Sequence, residues 1–337
     1  MLQFEHVIDI IDAHTAGEPV RFIVSGLPQI KGGTMLERLE YFRDNCDGLR
    51  KLILREPRGH RDMYGVVLTP PATEDGDLGL FFIYNGGLST MCGHATIGSV
   101  KIAVDTGMVS TVEGTNLVRV DTPAGRVDVT AEVRNGRAGD ISFTNVPSFV
   151  YMKDVEVPVD GCGKVKLDIA YSGAFMCYVD AEALGLKVSP EFSGEIVSRA
   201  LAIKSWVNGN MKIVNPENPG IKGIYGVEVL SPLRKTADGL RRSNVCVVGE
   251  GAMDRSPCGV GTSGQMALLC AKGLLGLGDK YHSFSIIGSE FTGVVTGATK
   301  ICGIDAIVPQ ITGRAYISGF NKLVLDPDDP FQQGFWL

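Results

Sequence analysis

Two cysteines in this chain of 337 residues each stand directly before a glycine and an apolar run at helical spacing. Cys92-Gly93 leads into Ile97, Val100, Ile102 and Ala103; Cys258-Gly259 leads into Met266, Ala267, Leu268 and Leu269. The runs close at Gly107 and Gly273, residues suited to a helix carboxyl end. Each sulfur therefore sits at the amino end of a predicted helix. Unpaired N–H groups there carry partial positive charge. That field is expected to lower a thiol's pKa, and the same groups bind anions such as a carboxylate. Gly93 and Gly259 let the backbone approach a ligand closely. A pair of such sites would clamp a carboxylate and place one sulfur on each side of its α-carbon. This is the chemistry of stereochemical inversion. One thiolate removes the α-proton, the other thiol protonates the opposite face, and the roles exchange in reverse. Helix termini stabilise the carbanion as its charge spreads into the carboxylate, each such donor contributing about 2.7–4 kcal/mol. No pyridoxal phosphate or other cofactor is required.

Plainer roles compete for these residues. A free cysteine is most often a small buried hydrophobe. Cys46, Cys162, Cys177, Cys246, Cys270 and Cys302 are expected to be that, with Cys270 inside the second apolar helix. A cysteine protease would pair Cys92 or Cys258 with His60 or His94 and leave the other cysteine idle. Cys92 and His94 are two residues apart, but no other zinc partner follows at a recognisable spacing, and neither CxxC nor HExxH occurs. No metal is expected. Asp254 is either a loop anchor or the partner of a substrate ammonium, which needs a nearby carboxylate. Glu18 and Arg58 are expected to form a structural ion pair or anchor loops.

The elements that must hold the two sulfurs recur in the chain. Met63-Tyr64-Gly65-Val66 and Ile224-Tyr225-Gly226-Val227 each precede a β-like run and then a cysteine motif. Beyond the cysteines, Thr96 matches Thr262, Gly98 matches Gly264, and Gly107 matches Gly273. Upstream, Asp12–Pro28 resembles Asp168–Leu186, with Gly17 opposite Gly173. A helix candidate follows each, 34–43 and 190–206. Short runs rich in Val, Ile and Phe predict strands at 7–11, 22–24, 66–68, 80–84, 117–120 and 127–133. Asn135-Gly136 is a hairpin signal. The predicted fold is α/β, of the α+β kind. It has two pseudo-symmetric halves, each a curved, mostly antiparallel sheet around one buried helix. The halves are drawn as 1–138 plus 312–337, carrying Cys92, and 139–311, carrying Cys258, with the active site in the cleft between them.

Composition narrows the function classes. The net charge is −6, hydrophobic residues make up 44% and charged residues 21%. The one dense basic cluster, Arg234, Lys235, Arg241 and Arg242, is short and reads as a solvated turn, so no nucleic-acid partner is expected. No apolar run reaches membrane-spanning length. The first residues lack the basic region of a secretory signal. The 8 cysteines then read as reduced thiols of a cytoplasmic protein.

These motifs together resemble the proline racemase family, which includes proline racemases, 4-hydroxyproline 2-epimerases and trans-3-hydroxyproline dehydratases. The resemblance spans nearly the whole chain: Asp12-Ala13-His14-Thr15-Ala16-Gly17-Glu18-Pro19, Glu56-Pro57-Arg58-Gly59-His60, Met91-Cys92-Gly93-His94, Asp254-Arg255-Ser256-Pro257-Cys258-Gly259, Ser285-Ile286-Ile287-Gly288 and Asp329-Pro330-Phe331. It implies a fold related to diaminopimelate epimerase, Cys92 and Cys258 as acid/base thiols, and a cyclic imino acid as substrate. It further implies that the backbone N–H groups of Gly93, His94, Gly259 and Val260 hold the carboxylate. The side chains of His94 and Asp254 would contact the ring nitrogen, and Tyr64 and Val248 would line the pocket. Relatives are often dimers, which makes a homodimer the implied assembly.

Some positions depart from common family patterns. Val260 stands where threonine is frequent and Gly264 where alanine is frequent. Val248 is smaller than the phenylalanine of typical proline racemases, leaving room for a ring substituent, whereas Tyr64 is bulkier than its counterpart in some hydroxyproline epimerases. Proline and 4-hydroxyproline both stay open as substrates. The dehydratase branch replaces one catalytic thiol with a hydroxyl residue, so cysteine at both 92 and 258 favours inversion. A non-catalytic imino-acid-binding protein of the same fold is the alternative from outside enzymology.

Overall fold

Thr34 starts the first helix for a local reason. Its hydroxyl accepts from the Glu37 N–H, and the Glu37 carboxylate accepts from the Thr34 N–H, a reciprocal cap. The helix, α1 (Met35–Leu54), passes well beyond the expected end at residue 43. Arg50 explains the extension: it is buried, donates to the carbonyls of Tyr84 and Asn85, and pairs with Asp47, so the polar stretch around Gly48 stays helical.

The computed structural model describes residues 4–336. It shows a mixed α+β fold with few helices, divided into two compact units: Met1–Phe143 with Arg314–Leu337, and Thr144–Gly313. The first unit holds β1 (His6–Thr15), β2 (Glu18–Ser25), α1, β3 (Tyr64–Thr69), β4 (Leu78–Tyr84), β5 (Gly87–Ser89), α2 (Gly93–Asp105), β6 (Gly114–Thr122), β7 (Gly125–Arg134) and β8 (Arg137–Thr144). The second holds β9 (Ser148–Val159), β10 (Gly163–Tyr171), β11 (Phe175–Asp180), α3 (Ser193–Asn210), β12 (Ile224–Leu230), β13 (Arg234–Thr236), β14 (Gly239–Val248), β15 (Ala252–Met253), α4 (Gly259–Ala271), β16 (Lys280–Phe284), β17 (Glu290–Ile301) and β18 (Ile304–Gly313). The last strand, β19 (Ala315–Leu325), returns to the first unit and pairs with β1.

The first unit's sheet runs β19–β1–β2–β3–β4–β6–β7–β8, with only β2–β3 and β4–β6 parallel. Phe42 and Ile53 of α1 pack with Ile8, Ile10, Ile23, Phe81 and Ile83. In the second unit the order β9–β10–β11–β12–β14–β16–β17–β18 returns to β9, which makes a closed barrel. Closure leaves the ring no unpaired edge. Helix α4 packs against β9, β10, β11, β17 and β18, and α2 against β1, β2, β3, β7 and β19.

These two helices match closely. Each has 13 residues with a cysteine as N-cap. Gly107 and Gly273 follow their carboxyl ends at φ +74° and +67°, where side chains are disfavoured. Gly93–Val104 of α2 and Gly259–Leu269 of α4 are buried throughout, so neither helix has a solvent face. Gly17 and Gly173 also match, turning β1 into β2 and β10 into β11 at φ +94° and +103°.

Asn135-Gly136 joins β7 to β8 in a two-residue turn with both φ positive, the geometry these residues favour. The second helix candidate is corrected at its start. Pro190–Phe192 forms a 3-10 turn, and α3 itself runs Ser193–Asn210. Arg58 pairs with Asp329 and reaches the carbonyl of Val324, so its carboxylate partner is not Glu18. The basic cluster lies on the exposed β13–β14 hairpin, where Arg241 covers Phe284 at 4.5 Å. No helix among the described residues is long and apolar enough to cross a membrane.

Gly264 shows why α4 must carry small residues. A Cβ there would lie 1.9 Å from the Tyr178 hydroxyl and 2.7 Å from its ring. Gly264→Ala should therefore cost roughly 1–3 kcal/mol through overpacking, despite alanine's better helix propensity. Urea unfolding checks this, and an unchanged or raised midpoint would show that the packing is looser than drawn.

Candidate active site

Cys92 caps α2 with extended backbone, and its carbonyl accepts from the N–H and hydroxyl of Thr96. Its Sγ lies 3.2 Å from His94 Nδ1. The Thr15 hydroxyl donates to the His94 carbonyl at 2.7 Å, and Tyr64 meets the imidazole edge-on at 4.7 Å between ring centres. Tyr64 in turn stacks on Tyr84. Burial pushes the His94 imidazole down to about 3, against a weaker opposing pull from the Pro19 backbone. The ring is thus neutral near pH 7, and its contact with Cys92 joins two uncharged groups or a thiolate and an N–H.

Cys258 caps α4 differently. Its φ is +59°, a left-handed value that costs a non-glycine residue energy and persists only under local constraint. Three contacts supply the constraint. The Cys258 N–H donates to the Ser256 hydroxyl, its carbonyl accepts from the Thr262 N–H, and its Sγ accepts from the Gly261 N–H at 3.2 Å. The loop before it is pinned by Asp254, whose N–H donates to the Cys246 carbonyl and whose carboxylate accepts from the Ser256 N–H at 2.7 Å.

Behind this sulfur lies a polar cluster that the sequence did not reveal. Glu228 on β12 is fully buried opposite Cys246 on β14. Asn244 donates to Glu228 Oε2 at 2.7 Å and to the Pro257 carbonyl, and accepts from Ser283. Among the described residues Glu228 Oε1 has no hydrogen-bond partner, and the thiols of Cys246 and Cys258 lie near the same carboxyl group. One acceptor atom on each of Glu228, Cys246 and Cys258 lies within 4.8 Å of the other two. These residues are where an ion could be held. Gly261 makes room for this arrangement, since a Cβ there would sit 1.5 Å from Glu228 Oε1.

Electrostatics within the cluster reverses one expectation. A hydrogen bond from the Cys246 thiol pulls Cys258 down, but burial and the charges of Glu228 and Asp254 push it up further, to about 11. The helix start therefore does not leave Cys258 as a free thiolate; burial of the thiol, with the charges of Glu228 and Asp254, outweighs it. Burial pushes Glu228 up to about 8, against the hydrogen bond from Asn244. Burial likewise pushes Asp254 up to about 6, against hydrogen bonds from Ser256. The three groups hold protons more tightly than isolated side chains would.

Most candidate residues gather about the two helix starts. Tyr64, Cys92, Gly93 and His94 meet in the first unit. In the second, Asp254, Cys258, Gly259 and Val260 form one segment, and Val248 packs against the same apolar cluster as Cys258 and Tyr178. The Val260 carbonyl accepts from Ser172, while N–H groups of the first helical turn have no carbonyl within the helix to bond. His14 and His60 are turn anchors: their Nδ1 atoms accept from the N–H groups of Gly17 and Asp62. Among the remaining cysteines, Cys46, Cys177 and Cys246 are buried, but Cys162 and Cys270 are only partly so and Cys302 is exposed. Cys270 reaches solvent because it lies in the last turn of α4, and Cys302 because it occupies the β17–β18 turn. The signal for Glu228 was present, a lone acid within the apolar strand Val227-Glu228-Val229.

The fold and the paired helix starts define a class of mixed α+β proteins with one N-capping thiol in each unit. Residues 10–336 match the family model described as proline racemase. The chain belongs to the proline racemase family. It is 43% identical to a proline racemase of Clostridioides difficile and 40% identical to a trans-3-hydroxy-L-proline dehydratase of Bacillus cereus, covering 100% of both chains in each case. Its structure resembles that of a hydroxyproline epimerase from Agrobacterium vitis with bound trans-4-hydroxy-L-proline. The TM-score is 0.91 at 30% identity, with 100% of this chain and 97% of that one covered.

Glu228 yields a pH prediction. Its folded carboxyl keeps a proton up to about 8, whereas an unperturbed glutamate loses it near 4.5. Between those values the folded state binds more protons than the unfolded chain, so stability falls as pH rises through that window. Glu228→Gln removes this contribution. Urea midpoints at pH 5 and pH 8 should separate less in the variant than in the parent; equal separations would mean that Glu228 ionises normally.

Proposed function

We infer that this protein inverts the α-carbon of a cyclic imino acid, proline or 4-hydroxyproline, using Cys92 and Cys258 as its two proton-transfer groups and no cofactor. The observation that carries this is the matched placement of those cysteines as N-caps of two buried helices of equal length. In this mechanism first-turn N–H groups of Gly93, His94, Gly259 and Val260 take the substrate carboxylate. Asp254 and His94 take the ring nitrogen, and Tyr64 and Val248 line the ring. One sulfur accepts the α-proton while the other protonates the opposite face.

The raised Cys258 thiol fits such a cycle. At rest it holds its proton and is ready to donate. A secondary ammonium beside Asp254 offsets part of the negative field that lifts it, so substrate binding itself brings the thiol closer to the thiolate that the reverse direction requires. The modest volume of Val248 accommodates a ring hydroxyl. Water elimination is the second reading, favoured by the 40% identity to a dehydratase. That reaction needs an α-proton base and an acid for the leaving hydroxyl, and leaves a second α-carbon thiol without a role.

Proton NMR in deuterated water with L-proline, trans-4-hydroxy-L-proline and trans-3-hydroxy-L-proline separates these outcomes. Inversion gives α-proton exchange with appearance of the other epimer of proline or of the 4-hydroxy substrate. A cyclic imine formed from the 3-hydroxy substrate marks a dehydratase, and no change in any of them marks a binder.

Cys92→Ser and Cys258→Ser should each lower turnover by about 10²–10⁴-fold, the usual contribution of a positioned acid or base. Full activity in either variant contradicts the two-thiol assignment. Iodoacetamide should inactivate the enzyme, and the planar carboxylate pyrrole-2-carboxylate should protect it; absence of protection would place the reactive thiol outside the substrate site.

A further inference from the structure

We propose that Glu228, Cys246 and Cys258 form a binding site for a thiophilic divalent cation such as Zn²⁺ or Cd²⁺, and that an ion held there blocks Cys258. Three observations converge. The donor atoms, two sulfurs and a carboxylate oxygen, lie within 4.8 Å of one another. The two sulfurs lie close enough to perturb each other's protonation. Glu228 is fully buried, its Oε1 has no hydrogen-bond partner among the described residues, and one of its carboxylate oxygens lies within reach of both sulfurs.

The donor chemistry is specific. Two thiolates and one carboxylate suit zinc and cadmium rather than magnesium or calcium, which prefer all-oxygen sites. With zinc–sulfur bonds of about 2.3 Å, a tetrahedral ion holds its sulfurs roughly 3.8 Å apart. The side chains thus need to close by at most about 1 Å. Cys258 is partly exposed and gives the ion its access from solvent. On binding, two S–H groups and the carboxylic acid release their protons to water, two metal–sulfur bonds and one metal–oxygen bond form, and a water molecule completes the tetrahedron. Nothing is oxidised or reduced. Asn244 stays on Glu228 Oε2 and orients the free oxygen, as partners of ligating carboxylates commonly do. The ligands come from β12, β14 and the α4 N-cap, which is why no metal-binding spacing is visible along the chain.

That an ion would inhibit rests on Cys258 acting as proposed above; that it binds does not. The test therefore reads both. Cadmium is titrated into the reduced, chelator-treated full-length protein while near-ultraviolet thiolate-to-cadmium absorbance and amino-acid inversion are followed. One ion per chain is expected, with absorbance and inhibition reversed by EDTA. Cys246→Ser, which keeps a hydroxyl donor beside Cys258, and Cys246→Ala should both lose most of the absorbance, and the turnover each retains should be at least tenfold less sensitive to the metal than that of the parent. Glu228→Gln should weaken cadmium binding and retain two-sulfur absorbance at saturation. Undiminished absorbance and sensitivity in a folded Cys246 variant would overturn the proposal, placing the ion on other thiols. Cys246-dependent absorbance without inversion activity in any form would support the metal site and contradict the proposed function.

Discussion

A sulfur fixed at the amino end of a buried helix is the constraint that organises this molecule. Helix α4 offers no face to solvent, so everything around it is chosen to fit. Gly264 yields to Tyr178, Gly261 yields to Glu228, and the Cys258 backbone accepts a left-handed conformation that Gly261, Ser256 and Thr262 hold in place. In the second unit α4 packs against β9, β10, β11, β17 and β18 of the barrel. In the first unit α2 meets the same demand by other means, with Thr96 and Thr15 securing the cap and a neutral His94 against the Cys92 sulfur.

The two sulfurs have different electrostatic surroundings. Cys92 is accompanied by an uncharged imidazole, whereas Cys258 faces buried carboxyls that raise it. Backbone N–H groups at both helix starts favour negative charge, but buried carboxylates at close range act over a shorter distance in a weakly screened environment. At Cys258 burial and the neighbouring carboxyls, not the helix start alone, decide how tightly the thiol holds its proton.

Much of this was legible in the chain. The cysteine–glycine steps, the glycines closing each helix and the Asn135-Gly136 hairpin all carry local geometric requirements that a sequence displays. The full length of α1 was hidden because Arg50 sustains it through carbonyls on a distant loop, and Pro190 misled because it begins a 3-10 turn ahead of α3. The Glu228–Asn244–Cys246 cluster was illegible as a unit, since pairing between β12 and β14 brings it together. Its one trace was an acid in an apolar strand. The lowered thiol pKa expected at Cys258 gives way to a raised one for a related reason: burial of the sulfur and a carboxyl from a distant strand cannot be read from the residues beside it.

The central claim is proton transfer by two separate sulfurs, and isotope placement at early reaction times tests it most directly. In deuterated water, with conversion held to a few per cent, the newly formed epimer should carry deuterium at its α-carbon while recovered substrate retains protium, because the thiol that donates is not the one that accepted. A product epimer retaining protium, or substrate labelled as fast as product, would show a single group moving the proton and would contradict the account.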